Sequence, residues 1–534
     1  MSYLYIKEIL AAFTAWVVFV QVRNWLRWRS LNKWAAAQGC KEPPNVPNHL
    51  PGGIERYGFV IQLLLGRLKN FDFLDDNIRK RNQDMGCNTF RIHNAFNETI
   101  LSTCDPENIQ AILATRFHDF DLGPQRHKMF EEMLGHGIFT AEGEKWSHFR
   151  RQLKPQFARD QVSDLEATER HLNVLFKVLP EENQAGWIES VDLLPLLYRL
   201  TMDLSTEFLF GQSVNSQSNA LYSLDSGNTS TTEALEQIAF SEAMQYAQEF
   251  IAWRFRIRMF YVFITKDKFK AACATVQNFT SRFVSLALSP DRKHVTETAK
   301  GKPKFTLIDE LVKETRDPIE LRDQMLHVLL AGRDTTSATI GWAILLLSRS
   351  PTEFNKLRSA ILAQFGTENN PISEPTFESL KACKEITYVI YETLRLYPLV
   401  PLNGRFALKD TVLPTGGGPD RKSPIAVKKG EQVGFSTYIM HRRRDIWGSD
   451  ADEFRPSRWE GRKLGWEFVP FSGGPRVCLG QQYALNNAGY VLAKLLQRYD
   501  QIEALDMVKP LKKGLAIVLA PGDGVKVRMH RASA

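Results

Sequence analysis

Apolar side chains dominate from Leu4 to Val22, broken only by Lys7, Glu8 and Gln21 among the strongly polar types. At 1.5 Å per residue such a helix spans roughly 28 Å, close to one hydrocarbon core. Arg23, Arg27, Arg29 and Lys33 follow, and no small-residue cleavage site does. The pattern predicts an uncleaved N-terminal membrane anchor with the bulk of the chain on the cytosolic side. Pro43-Pro44-Asn-Val-Pro47-Asn-His-Leu-Pro51 cannot be helical and predicts a stiff hinge, with domain packing starting beyond it. Ile54 to Leu68 is apolar again and fits either a core helix or a second helix on the membrane surface. The expected organisation is an anchor over residues 1–29, a basic linker and hinge over 30–53, and one large domain over 54–534.

Within that domain the helical period predominates. Glu320 to Ser350, stopped by Pro351, predicts a helix long enough to cross the domain. Apolar residues Ala484, Leu485, Ala488, Val491 and Leu492 share a face of another. Phe250, Phe255, Ile257, Phe260 and Phe263 line helices that either cover an apolar cavity or pack a core. Arg116 to Gly143 mixes glycines with aromatic and polar residues and reads as a mobile covering loop. Gly211 to Thr232 and Ala299 to Lys304 read as loop and connector. Short β runs fall at Ile425–Val427 and Gln432–Ser436. A last pair, Leu515–Leu519 and Val525–Met529, flanks Pro521-Gly-Asp-Gly524 and predicts a hairpin. The class is therefore mainly α with small β-sheets.

Composition adds little to the fold but narrows the function. Apolar residues make up 43% of the 534, enough for a sizeable core. The six cysteines (Cys40, Cys87, Cys104, Cys273, Cys383 and Cys478) lack paired spacing, so reduced thiols facing the cytosol are expected. The sequons at Asn97, Asn228 and Asn278 are then coincidental. A formal charge of +8 is spread over short basic knots, with no nucleic-acid motif beside them; it suits an anionic membrane surface or an acidic protein partner.

One loop carries the chemistry. Phe471-Ser-Gly-Gly474-Pro-Arg476-Val-Cys478-Leu-Gly480 delivers a cysteine to a helix start, where the dipole end is expected to lower the thiol pKa and favour a metal-binding thiolate. Gly474 and Gly480 allow backbone N–H groups to approach the sulfur. These residues match Phe-x-x-Gly-x-Arg-x-Cys-x-Gly, and the chain resembles the cytochromes P-450. The resemblance implies the α-rich fold of that superfamily preceded by the anchor, haem b with Cys478 as axial ligand to iron, and Arg476 on a haem propionate.

Further segments extend it. Trp146-Ser-His-Phe-Arg150 places an indole and a guanidinium one helical turn apart; the family pair of this form grips a propionate, and Arg405 and His441 are further candidates. Ala331-Gly-Arg-Asp334-Thr335 sets poor helix formers in mid-helix, where a hydroxyl bonding back to a carbonyl opens the helix. The family motif assigns proton delivery to Thr335 and relay to Asp334. Glu392-Thr-Leu-Arg395 and Arg458, in a segment with Ser457 where the family has glutamate, imply a buried ion-pair triad. Val400, Leu402 and Leu515 are expected to reach a substrate pocket.

The implied activity is monooxygenation of a lipophilic substrate, because a haem thiolate favours cleavage of dioxygen. No Gly-x-Gly-x-x-Gly stands in a strand-turn-helix setting, so electrons must come from outside the chain; the resemblance implies NADPH through an external FAD/FMN reductase at the endoplasmic reticulum membrane, which suits the anchor and the basic charge. Gly137–Trp146, Lys154–Val162, Leu209–Asn215 and Leu330–Thr336 look like the fungal family that hydroxylates n-alkanes and fatty acids at the terminal carbon. Related fungal enzymes oxidise secondary metabolites. A non-catalytic haem carrier or sensor lies in another class, and Asp334 and Thr335 argue against it. An enzyme rearranging an oxidised lipid without a reductase typically lacks the threonine.

Overall fold

A computed structural model describes residues 2–50, 71–94, 98–157, 165–219, 232–257, 266–289, 306–507 and 510–533, with 53, 55 and 58 between the first two stretches. It is mainly helical with small sheets. The contacts divide it into two compact units, the smaller of residues 1–59, 78–121 and 403–436, the larger of 60–77, 122–402 and 437–534.

The smaller unit is built on a five-stranded sheet in the order Thr89–His93, Thr99–Thr103, Gln432–Ser436, Leu402–Ala407, Phe120–Asp121. Its first two strands form an antiparallel hairpin and its third runs parallel to the second. A second hairpin pairs Thr411–Gly417 with Ser423–Val427. Fully buried Asn108 locks the two sheets, donating to Thr89, Thr103 and the Thr415 carbonyl at 3.0–3.1 Å.

Helix Ser2–Ala37 leads into this unit. It runs unbroken through the expected boundary at residue 29, and Phe13, Trp16, Phe19, Trp25 and Leu26 stand exposed along it. Among the described residues, however, no helix is long and apolar enough to cross a membrane, so the expected spanning anchor is not found. The proline segment also differs from expectation. Lys41 donates its N–H to Pro424, the Glu42 carbonyl accepts from Gly418, Pro44 accepts from Arg91, and Val46 donates back to Arg91. Prolines lack a donor but keep their carbonyls, and these cap a sheet edge. The chain is thus already bonded to the sheet at Lys41–Val46, within the expected hinge. Ile54–Leu68 falls almost wholly outside the described residues.

The larger unit is arranged about helix Pro318–Ser348. Asp317 caps it, accepting from the Ile319 N–H, and Pro318 sits at its first position, where a missing N–H costs nothing. The helix begins two residues earlier than the pattern suggests, and Pro351 opens the next helix, Pro351–Phe365. Helices Leu193–Phe210, Asp267–Leu288 and Gln481–Arg498 pack around it. Met133, Phe240, Met244, Phe269, Val276 and Leu329 lie in the core between them.

One loop expectation and the C-terminal hairpin change. Arg116–Gly143 contains a strand and helix Pro124–Leu134. Residues 220–231 and Ala299–Lys304 lie outside the described residues, as do Phe260 and Phe263, and helix Thr232–Ile257 begins at the expected loop's last residue. The expected C-terminal hairpin splits in two. Lys513–Leu515 pairs instead with Leu519–Pro521, while Lys526–Arg531 lies between Trp187–Asp192 and Tyr499–Ala504. Asp192 accepts the Val525 N–H at 2.8 Å and Leu193 donates to the Val525 carbonyl, which draws the chain into the other sheet.

Candidate active site

The Phe471–Gly480 loop is shaped by two left-handed residues, Ser472 and Gly474, followed by a single 3-10 turn, Gly474–Arg476. Gly473 lies against Trp466, whose ring a Cβ would meet at 2.5 Å, so the loop passes only as glycine. Cys478 donates its N–H to Phe471 at 3.0 Å, closing the loop, and Gly480 caps helix Gln481–Arg498. The other five cysteines are buried or half-buried; Cys478 is exposed. Its thiol pKa is nevertheless raised, first because surrounding protein desolvates the thiolate. The Gly480 N–H and the Arg150 charge act the other way without prevailing. The residue is thus open to its surroundings while neighbouring protein still disfavours its charged form. The expected lowering by the helix end is therefore corrected: helix and arginine alone do not ionise this thiol, and a coordinating metal would.

A cationic cluster stands beside the sulfur. Trp146 is buried on helix Gly143–Leu153, with the Arg476 guanidinium 4.3 Å from its ring centre and that of Arg150 at 5.8 Å. Arg476 donates to the Ala141 carbonyl at 3.2 Å. A third arginine, Arg126, completes the group; burial and then the repulsion of Arg476 push its pKa down to about 10. Desolvated like charges become favourable when an anion joins them. An exposed cysteine near a group of guanidinium side chains fits haem: Cys478 could hold the iron and the arginines the propionates.

On the central helix the Thr335 hydroxyl donates back to the Ala331 carbonyl, and Ser337 and Thr339 bond back in the same way. The helix nonetheless stays continuous, so the expected opening does not interrupt it. Asp334 is buried; its Oδ2 accepts from Gln248 Nε2 at 2.7 Å and its Oδ1 from Arg333 at 3.1 Å. The Thr336 hydroxyl, two residues further on, is buried with no hydrogen-bond partner among the described residues.

Glu392, Arg395 and Arg458 come together below the loop. Arg395 and Glu392 form a two-pronged pair at 2.8 Å on each side, both fully buried, and Arg458 donates to the same carboxylate at 3.3 Å. The Arg455 N–H and Trp459 indole complete its coordination. Asp450, at 3.0 Å from Arg458, supplies the carboxylate that Ser457 does not. Arg395 also donates to the carbonyls of His441, Ala451 and Glu453.

His441 is fully buried against Phe468, and its Nε2 accepts the Val469 N–H at 3.2 Å. Burial, with Arg395 and Arg442 nearby, lowers its pKa to about 3, so it is neutral. These partners make it a brace between the Glu392 network and the start of the cysteine loop, in place of the expected propionate contact. Arg405, in the smaller unit, is buried and donates to Asn403 and the Gly404 carbonyl. Val400 is exposed and Leu402 and Leu515 half-buried; the Leu515 carbonyl accepts from Arg256. Arg126 and Gln248 carry no motif, and only the folded chain reveals them.

A loop-borne exposed cysteine, a cluster of arginines around Trp146, and a buried acid next to a threonine on one long helix are the parts a haem-thiolate oxygenase needs. Residues 52–527 match the family described as Cytochrome P450. The chain is 45% identical to a cytochrome P450 monooxygenase, g430, of a Fusarium species, over 96% of this chain and 89% of that one. It is 43% identical to cytochrome P450 52A13 of Debaryomyces hansenii over 80% and 81% of the two chains. With cytochrome P450 52A6 of Candida tropicalis the identity is 38% over 98% and 96%. The chain belongs to the cytochrome P450 family: it is a monooxygenase that uses thiolate-ligated haem iron and electrons from a redox-partner reductase.

Proposed function

We propose that this monooxygenase hydroxylates long-chain alkanes or fatty acids at or near the terminal carbon, at the cytosolic face of the endoplasmic reticulum membrane, with NADPH electrons delivered by an FAD/FMN reductase. The sequence likeness of Gly137–Trp146, Lys154–Val162, Leu209–Asn215 and Leu330–Thr336 to the alkane- and fatty-acid-oxidising fungal family carries the substrate reading. Attachment to the membrane is supported by the exposed Phe13, Trp16, Phe19, Trp25 and Leu26 of the first helix and the basic residues from Arg23 to Lys33, which suit an anionic headgroup layer.

Bound haem supplies iron at which dioxygen is activated. Cys478 would hold the iron through its sulfur, and the Gly480 N–H, which bonds that sulfur, would moderate how strongly it donates. Arg126, Arg150, Arg476 and the Trp146 indole would hold the propionates. The Thr335 hydroxyl donates to the Ala331 carbonyl; to pass its proton into the site it would rotate out of that bond, while a lone pair on its oxygen accepts the replacement proton. Asp334 is held by Gln248 and Arg333; it relays protons when a swing of its side chain exchanges one of those donors for water. His441 and the Glu392 network keep the cysteine loop rigid.

Membranes containing the protein and a reductase, incubated with NADPH and a panel of alkanes, fatty acids and compact terpenoids, test this by the mass of the products. Terminally hydroxylated chains are expected. Turnover of the compact compounds alone would place the enzyme among secondary-metabolite oxidases.

A further inference from the structure

We propose that His127, Glu131 and His136 form a surface site for a divalent transition ion of the zinc type, separate from the haem centre, which clamps the segment carrying Arg126. Their ligand atoms all lie within 4.8 Å of one another. His127 and Glu131 are four apart on helix Pro124–Leu134 and share a face. Gly135, with φ +63°, turns the chain back so that His136 meets them.

The geometry suits coordination. His127 Nε2 and His136 Nδ1 are 3.2 Å apart, and the edge of a tetrahedron about zinc, with bonds of about 2.0–2.1 Å, is about 3.3 Å. Glu131 lies against the opposite nitrogens, with Oε2 3.2 Å from His127 Nδ1 and Oε1 3.9 Å from His136 Nε2, so its exposed side chain must turn towards the Nε2–Nδ1 pair to offer the third ligand. Water takes the fourth position. Two imidazoles and one carboxylate are a donor set that zinc accepts readily and magnesium does not.

The turn is also held in place. The His136 N–H donates to Asp323 at 2.9 Å, and a Cβ on Gly135 would strike that carboxylate at 1.9 Å. Just beyond, the Phe139 N–H donates to His327 on the same long helix, and Arg126 donates to the Phe139 carbonyl. An ion on His127, Glu131 and His136 therefore ties the helix that carries Arg126 to a turn already fixed on the central helix. Arg126 is adjacent to His127 and bears on Arg476, so occupancy steadies one wall of the cationic cluster.

The test uses untagged, haem-loaded protein with a zinc-sensitive chromophoric chelator as competitor and magnesium as control. One zinc per chain is expected, weakened at least tenfold in both His127→Ala and His136→Ala and less in Glu131→Gln, with haem absorption unchanged in all three. Amide hydrogen exchange over residues 124–141 is expected to slow on adding zinc to the native protein and not to His136→Ala. Equal affinity in the native protein and both histidine variants, or exchange in this segment unaffected by zinc, would overturn the proposal.

Discussion

Gln248 donates its amide to Asp334 across 2.7 Å, and both side chains are buried. The bond ties helix Thr232–Ile257 to the centre of helix Pro318–Ser348 at the residue assigned to proton relay. Asp334→Asn is expected to slow turnover by about 10²-fold or more, the usual scale of a lost general acid or base. Haem content should stay normal. Thr335→Ala should lower the product formed per NADPH consumed, because protons then arrive out of turn. Gln248→Leu leaves the Asp334 Oδ2 without its donor, at about 1.5–3 kcal/mol. An unchanged ratio of product to NADPH in Thr335→Ala would remove that residue from the relay.

The Glu392–Arg395 pair is expected to be structural. Both groups are fully buried, and Glu392 accepts five hydrogen bonds in all from Arg395, Arg458, Arg455 and Trp459. Arg395→Met strands that carboxylate and three carbonyls, so a loss of about 3–5 kcal/mol is expected in denaturant titration, together with lost haem. A variant with native stability would show that Arg458 alone holds the carboxylate.

What the sequence makes legible here is what lies close together along the chain. Cys478, Arg476 and the following helix share one loop, and Trp146 and Arg150 share one turn, so local spacing alone brings them out. The Glu392 network is half legible: Glu392 and Arg395 are three apart, whereas Asp450 replaces the expected glutamate from a site that no motif marks. Gln248 meets Asp334 from 86 positions away and Arg126 faces Arg476 from the far end of the chain, so neither role shows in local spacing. The same holds for strands. Nothing local to Pro43–Val46 announces a pairing with Arg91, and nothing in the Pro521–Gly524 turn announces Asp192. The thiol pKa of Cys478 fails for a different reason: a helix end is visible in sequence, but the desolvation that outweighs it is not.

Acid should destabilise the protein through two histidines. His441 and His327 are fully buried and their pKa values fall to about 3, mainly through burial. Between about pH 6.5 and 3 the unfolded chain then binds protons that the folded chain does not. Each therefore contributes stability that is complete above about pH 6.5 and is lost as pH falls, at about 1.4 kcal/mol per pH unit. His441→Gln keeps an acceptor for the Val469 N–H and removes the titration. The slope of unfolding free energy between pH 6 and 4 should drop by about that amount, and an unaltered slope would show that His441 is protonated in the native state.

Truncation separates the first helix from the sheet. Removing residues 1–36 should weaken membrane attachment in flotation assays while leaving haem absorption intact, because Lys41–Val46 and their bonds to Pro424, Gly418 and Arg91 remain. Removing residues 1–46 also takes Glu42 from buried Arg91, which keeps Glu431 and the Ala426 carbonyl, and removes the backbone bonds that Lys41–Val46 make to the sheet edge. This second cut should therefore lower stability below that of the first, mainly through the lost sheet-edge bonds, because Glu42 is largely exposed. Equal stability of the two truncations would mean that the proline segment only rests on the sheet.

Affinity should rise with substrate chain length. If the substrate lies in an apolar tunnel, each buried methylene contributes up to about 0.8 kcal/mol, and ten of them about 8 kcal/mol before ordering costs. Micromolar binding requires about that much. Affinity is therefore expected to climb through a series of saturated fatty acids or alkanes and to level off once the tunnel is filled, with oxidation staying at or near the methyl end. A carboxylate that stays at the wet mouth adds little, so acids and alkanes of equal length should differ less than neighbours in the series do across several methylenes. Titration by the haem spectral shift, with the product position read by mass spectrometry, measures both quantities. Flat affinity along the series with no hydroxylated chain would rule out the long-chain reading, whereas a plateau with mid-chain products would keep the tunnel and move the iron along it.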